Sequence, residues 1–195
     1  MDDIYGGHRP EMELVLDKLV QRVDDLRQSM ALQSAFDPVD HILHRVKSEE
    51  SMREKCRRKG LPETTEAALT KVYDALGLRI VCPFLSDVYA LRDHIAASPD
   101  FVVVEERDYI LHAKPNGYRS YHMILRSQEG YYAEVQLRTI SMDTWAALEH
   151  HLHYKKHREG NQRLIVQELK RCADELASTD VSMQTLRDMI LAEGD

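Results

Sequence analysis

The sequence predicts an α+β fold: a small mixed β-sheet of about four to five strands flanked by helices, with helical extensions at both ends. Three observations carry that prediction. Residues 11–32 set Leu14, Leu19, Val23, Leu26 and Met30 at helical spacing between charges. Short apolar, β-favouring runs bounded by turn residues fill the middle of the chain. From Ser141 onward the pattern is helical again.

The first helix covers 11–32, and Phe36-Asp37-Pro38 closes it with a turn. A basic segment from His44 to Gly60 reads as loop leading into a short helix. Pro62 suits a first helical turn, so 63–76 reads as a second helix ending at Gly77. Residues 78–84 form a buried strand bounded by Pro83, and Ser86-Asp87 can cap a helix running to Ala97. Residues 101–104 are a further strand, while 119–127 and 131–138 make a hairpin around Gln128-Glu129-Gly130. Ser141 or Asp143 caps a helix through Tyr154. The amphipathic segment 161–190, with Leu164, Leu169, Ala173, Leu176 and Leu186, completes one domain over 1–195.

With 195 residues, 43% hydrophobic and 30% charged, the chain has the composition of one soluble globular domain. A net charge of −7 argues against a general nucleic-acid coat. Residues 44–60 run against that average, with seven Lys or Arg and three Glu. Three cysteines without CxxC spacing point to a reducing compartment. No apolar run has membrane-spanning length and the N-terminus lacks a secretory pattern, so a cytoplasmic location is expected. No Gly-rich P-loop is present, which excludes a Walker-type ATPase.

Tyr132, Glu134, Gln136 and Arg138 share one face of a strand, too polar a row for a core and suited to a ligand surface. Arg45, Lys47, Ser51 and Lys55 supply the cations and hydroxyl that polyphosphate attracts. Ser51 and Lys55, four apart, would share a helix face, although the run also reads as a solvated basic helix. Asp74 and Glu134 are the two carboxylates that magnesium would take alongside phosphates and water, and Arg79 could meet a phosphate. Asp74 to Arg79 also reads as an ordinary helix end with a structural ion pair. An exposed Tyr118, beyond the Asn116-Gly117 turn, offers a flat face to a base. Lys114, Arg119 and His122 lie within reach of its phosphates or sugar; a packed hairpin tyrosine is the plainer reading. Glu149, His153 and His157 have the spacing of a helical metal site, but no HExxH occurs and a fourth zinc ligand is missing. Glu149 and His150 are therefore read as facing the cleft or capping loops.

In this order the runs resemble the synthetase domain of the RelA/SpoT family, and most of all its small stand-alone members. The matching segments are Arg45-Val46-Lys47 with Ser51 and Lys55, Asp74 through Arg79, Asn116 through His122, Glu134 through Thr139, and Trp145 through Tyr154. The resemblance covers about residues 36–157. The resemblance implies a nucleotidyltransferase-like fold and transfer of the β,γ-pyrophosphate of ATP to the ribose 3′-hydroxyl of GTP or GDP, giving pppGpp or ppGpp. It implies that Arg45, Lys47, Ser51 and Arg79 hold ATP, with Lys55 at its phosphates. Asp74 would bind magnesium; Glu134 would bind magnesium, act as general base, or both. Tyr118 would stack on guanine, and Lys114, His122, Gln136, Arg107 and Asp143 would position the acceptor. Small relatives form homotetramers through terminal helices, which 11–32 and 161–190 would supply. Some bind (p)ppGpp allosterically; RNA binding by an assembled form stays open. The chain has no His-Asp dipeptide and no room for the family's hydrolase domain, so hydrolysis is not expected. Two alternatives remain: a relative with another acceptor (an adenine nucleotide or a tRNA 3′ end), or a non-catalytic nucleotide- or RNA-binding regulator. Retention of Asp74 and Glu134 weighs against the second.

Overall fold

The strand Tyr132–Thr139 lies at the centre of a five-stranded mixed sheet, in the order His41–Val46, Leu76–Cys82, Tyr132–Thr139, Tyr121–Ser127, Phe101–Asp108; it runs parallel to Leu76–Cys82 and antiparallel to Tyr121–Ser127. The computed structural model describes residues 3–31, 36–153 and 162–193. In chain order the elements are α1 (Arg9–Ala31), β1 (His41–Val46), α2 (Glu49–Arg58), α3 (Thr65–Thr70), β2 (Leu76–Cys82) and α4 (Leu85–Ala96). They continue with β3 (Phe101–Asp108), β4 (Tyr121–Ser127), β5 (Tyr132–Thr139), α5 (Ile140–His153) and α6 (Gln162–Ala192).

Alternation along the strands divides the sheet into two unlike faces. Leu76, Leu78, Ile80, Met123, Leu125, Val135 and Leu137 are buried in the core, where α1 and α4 cover them with Leu19, Val23, Leu91 and Ile95. The opposite face carries Arg79, His122, Glu134 and Gln136, each partly exposed. Its residues align in rows across the strands. Leu43, Arg79, Gln136, His122 and Arg107 are successive register partners, and so are Arg45, Gly77, Glu134 and Ile124. One face holds the domain together; the other carries the polar chemistry.

Several sequence-based boundaries move. Strand β1 replaces the loop read over His44: it is a largely exposed edge strand, so its polar side chains give no burial alternation to detect. The helix read over 63–76 shrinks to Thr65–Thr70, started by Thr64, whose hydroxyl accepts from the Ala67 amide at 3.3 Å. Gly77 is therefore not a helix cap but a residue of β2, opposite Glu134. Asp87 does not cap α4 either; Phe84 is the cap residue, and Asp87 is buried against Arg187 of α6. Thr139, rather than Ser141 or Asp143, caps α5 by accepting from the Met142 amide at 3.2 Å.

The terminal helices bury faces that overlap the expected ones in part, keeping Leu19 and Val23 of α1 and Leu169 and Ala173 of α6. Met12, Val15, Leu16, Leu19 and Val23 form the inner stripe of α1, and Leu14 is 61% exposed. In α6, Leu169 and Ala173 join Trp145 in a satellite cluster with Leu176 at its edge. Farther along, the inner face turns polar through Asp180 and Arg187. Leu164 and Leu186 point to solvent.

Candidate active site

The cleft on the polar face is built from three strands, β1, β2 and β5, and one missing side chain. It encloses about 340 Å³ and is lined by Leu43, His44, Arg45, Lys47, Asp74, Gly77, Leu78, Arg79, Glu134 and Gln136. Gly77 sits between Arg45 and Glu134 in register, so its lack of a side chain leaves the slot between cation and carboxylate open. A second hollow of about 130 Å³ lies on the other side, lined by Tyr73, Glu105, Arg107, His122, Ile124 and Glu134. Glu134 is the residue common to both linings.

Asp74 lies in the turn between α3 and β2, not at a helix end. Its Oδ2 takes the Lys55 ammonium and lies 3.2 Å from Lys47 Nζ. Burial pushes its pKa up, but the Lys55 hydrogen bond and the Lys47 charge outweigh that and hold it below the usual range. Oδ1 is buried and has no hydrogen-bond partner among the described residues. Glu134 follows the same balance: burial raises it, and the His122 hydrogen bond and charge lower it further, so it stays ionised.

The residues expected at ATP come together unevenly. Arg45, Lys47 and Arg79 line the cleft, while Lys55 reaches it through Asp74. Arg79 Nε is buried without a partner among the described residues, and burial lowers the guanidinium's proton affinity. Ser51 is exposed and local: Ser48 caps α2 by accepting from the Ser51 amide at 3.3 Å and donates to Ser51 Oγ at 2.9 Å. Glu49 is engaged in structure, accepting from the Ile4 amide at 3.4 Å. Beneath this segment the buried Tyr5 hydroxyl donates to the Lys47 carbonyl at 2.6 Å.

Of the residues expected at the acceptor, Tyr118, His122 and Gln136 close a ring of polar contacts with Glu134 and Arg138. Glu134 Oε1 lies 3.4 Å from His122 Nδ1, and His122 Nε2 is 2.8 Å from the Tyr118 hydroxyl. Arg138 donates to that hydroxyl at 2.8 Å and to Gln136 Oε1 at 3.1 Å, and Gln136 Nε2 returns to Glu134 Oε2 at 3.0 Å. Tyr118 is thus half-buried and anchored rather than exposed. Trp145 meets its ring edge-on at 6.4 Å between centroids, and Lys114 Nζ sits 4.7 Å from its centroid. Arg107 reaches the Tyr109 hydroxyl at 3.4 Å and pairs with Glu105. Asp143 faces guanidiniums, with Oδ1 3.0 Å from Arg138 and 3.5 Å from Arg79.

Arg138 is the residue whose weight the sequence hides. It is 4% exposed, and strand alternation places it in the polar row without saying that three side chains depend on it. His150 is exposed beside His151, and neither Glu149 nor His150 lines the two hollows. His157 lies outside the described residues, as does Tyr154. Among the described residues no three His, Cys, Asp or Glu side chains converge as a metal cage.

A small mixed sheet with ionised carboxylates beside a wall of cations defines a domain able to hold polyphosphate. Residues 44–159 match the family described as a region found in RelA / SpoT proteins, and the chain belongs to that family. Among curated relatives, GTP pyrophosphokinase YwaC of Bacillus subtilis is 37% identical over 169 residues, 83% of this chain and 80% of that protein. The crystal structure of small alarmone synthetase 1 from Bacillus subtilis bound to its product pppGpp superposes with a TM-score of 0.77 at 30% identity. That match covers 92% of this chain and 94% of the other. Small alarmone synthetase 2 from Bacillus subtilis also gives 0.77, at 33% identity, over 91% and 95% of the two chains.

Proposed function

We propose that this chain is a GTP/GDP pyrophosphokinase that makes pppGpp and ppGpp. The observation that carries the reading is the position of Glu134 on the linings of both hollows, donor side and acceptor side. A residue that accepts a proton from the acceptor while the donor lies alongside must reach both. The relatives' activity and the pppGpp-bound homologue support the same conclusion.

ATP lies in the larger cleft, its phosphates against Arg45, Lys47 and Arg79, with Lys55 held to the site by Asp74 and Ser51 at the rim. GTP or GDP lies on the other side, its base against Tyr118 and its phosphates and sugar among Lys114, Arg107, His122 and Gln136. Asp143 serves that side through the guanidiniums it holds. The ribose 3′-oxygen attacks the β-phosphorus of ATP, the bond from the β-phosphorus to the oxygen of the α-phosphate breaks, and AMP leaves. Glu134 takes the 3′-hydroxyl proton, since a ribose hydroxyl is a poor nucleophile. Such transfers depend on positioning and charge neutralisation rather than covalent intermediates.

Asp74 and Glu134 would hold magnesium. The unpartnered Asp74 Oδ1 fits an ion that takes one or two protein carboxylates with phosphate and water. When bound, the ion would offset the charge of the transferred pyrophosphate. Exposed apolar side chains on α6, among them Val181, Met189 and Ile190, with Leu148 and Leu152 of α5, support assembly into a homo-oligomer, a tetramer by analogy with small relatives. No helix among the described residues is long and apolar enough to cross a membrane, which accords with a cytoplasmic enzyme.

The test is incubation with magnesium, γ-labelled ATP and either GTP or GDP, followed by chromatography. Labelled guanosine penta- or tetraphosphate with release of AMP supports the reading. Transfer to an adenine nucleotide or a tRNA 3′ end instead would identify the alternative acceptor.

A further inference from the structure

The Asp143 carboxylate stands between the two nucleotide sites. Its Oδ1 accepts from Arg138 Nη1 at 3.0 Å and lies 3.5 Å from Arg79 Nη1, so one oxygen serves two guanidiniums. His41 Nε2 is a further polar neighbour, 4.0 Å from Oδ2. Arg79 lines the donor cleft. Arg138 lines neither hollow; it is buried and donates to the Tyr118 hydroxyl at 2.8 Å and to Gln136 Oε1 at 3.1 Å. A continuous chain thus runs from a donor-site cation to the tyrosine that faces the acceptor.

We propose that Asp143 and Arg138 are positioning residues that couple the two sites, so that a nucleotide triphosphate bound at Arg79 tightens the seat of the acceptor at Tyr118. The inference rests on the assignment of donor and acceptor sides given above. Two cations on one oxygen compete for its charge. A polyphosphate at Arg79 gives that guanidinium another anion, and its unpartnered Nε has a bond to offer. The Asp143 charge then falls to Arg138 alone, which holds the Tyr118 hydroxyl and the Gln136 amide more firmly. Linkage makes the effect reciprocal, so acceptor binding tightens the donor by the same factor.

The test compares GDP dissociation constants, by calorimetry with magnesium, without and with saturating α,β-methylene-ATP, whose methylene bridge blocks transfer. The wild-type ratio is expected to be about 5 or more, the lower range of measured couplings. Asp143→Asn, which keeps shape and removes charge, should bring the ratio close to one. Arg138→Lys should do the same, because a single ammonium cannot fork to Asp143, Tyr118 and Gln136 together. If that variant does not fold, Tyr118→Phe, which removes only the hydroxyl Arg138 holds, must lose the ratio. A merely structural role would weaken both nucleotides and leave the ratio intact. A wild-type ratio of one, or an unchanged ratio in Asp143→Asn, overturns the coupling. A wild-type chain that binds neither nucleotide overturns the functional reading itself, a distinct result.

Discussion

His122 Nδ1 faces Glu134 Oε1 at 3.4 Å across adjacent strands, and that contact is the largest force lowering the Glu134 pKa against its burial. The pair lies diagonally, since the direct register partner of Glu134 is Ile124 and that of His122 is Gln136. Glu134 is therefore ionised and ready to take a proton through neutral pH.

Glu134→Gln should leave binding of α,β-methylene-ATP within a few-fold of wild type and lower turnover by about 10²-fold or more, the usual scale for a lost base. The wild-type acid limb follows from the same pKa direction. Glu134 and Asp74 are both depressed, so their charged forms persist at and below the ordinary carboxylate range of about 4. The stabilisation they give is present above that range and is lost as pH falls through their folded values. An acid limb of kcat/KM set by a group titrating near neutrality would contradict the assignment.

Tyr118→Ala should raise the acceptor KM by the equivalent of about 1–3 kcal/mol of stacking, and the ATP KM by no more than the lost coupling between the sites. Steady-state kinetics with each nucleotide varied in turn separates the two. An unchanged acceptor KM would place the base elsewhere.

The two glycines of the site should respond oppositely. Gly117 has φ of 94°, and a Cβ there would lie 2.6 Å from Ala173 Cβ on α6. Gly117→Ala should cost about 1–3 kcal/mol of stability by overpacking and raise the acceptor KM, and Ala173→Gly in the same chain should recover part of the loss. At Gly77 a Cβ would meet nothing nearer than Arg45 at 3.9 Å. Gly77→Ala should keep the wild-type melting temperature and raise the ATP KM by narrowing the slot beside Glu134. Thermal melts with paired KM values check both.

Arg187 donates to Asp87 at 2.6 Å with exposures of 6% and 1%, and its guanidinium lies 4.7 Å from the centre of the Phe84 ring. Arg187→Met should cost about 3–5 kcal/mol, because Asp87 is left buried without its partner. Burial already outweighs Arg187 and holds the Asp87 pKa above the usual value. A carboxyl raised on folding favours the folded state most below its unfolded pKa and loses that contribution as pH rises through its folded pKa. The deficit of the variant should accordingly widen from pH 5 to pH 8 in denaturant titrations. A constant deficit would show that the pair's charge is immaterial.

The polar row of β5 was legible because alternation holds from Tyr132 to Leu137 in a strand whose other face, Ala133, Val135 and Leu137, is fully buried. Asp74, Glu134, Arg45, Lys47 and Arg79 were legible only as candidates: they are residue types that polyphosphate and magnesium call for, but the runs holding Arg45, Lys47, Asp74 and Arg79 also read alone as ordinary structure. Strand β1 was not, since an exposed edge strand owes its form to hydrogen bonds with β2 rather than to a hydrophobic pattern. The 63–76 helix failed because Leu76 belongs to β2, where pairing on both sides overrides local helix preference. The inner face of α6 was misread past Leu176, because its later contacts, Asp180 to Thr139 and Arg187 to Asp87, are polar and leave no apolar period to follow. Arg138 and Asp143 show their partners only once β4, β5 and α5 are assembled.

The central claim is that both terminal phosphates of ATP move as a unit to guanosine. The most direct measurement uses ATP carrying different labels on the β- and γ-phosphates, with GDP and magnesium, and follows each label with the adenine product. The account predicts both labels in one guanosine tetraphosphate, one to one, with AMP as the released nucleotide. Release of ADP with only the γ label transferred would contradict it.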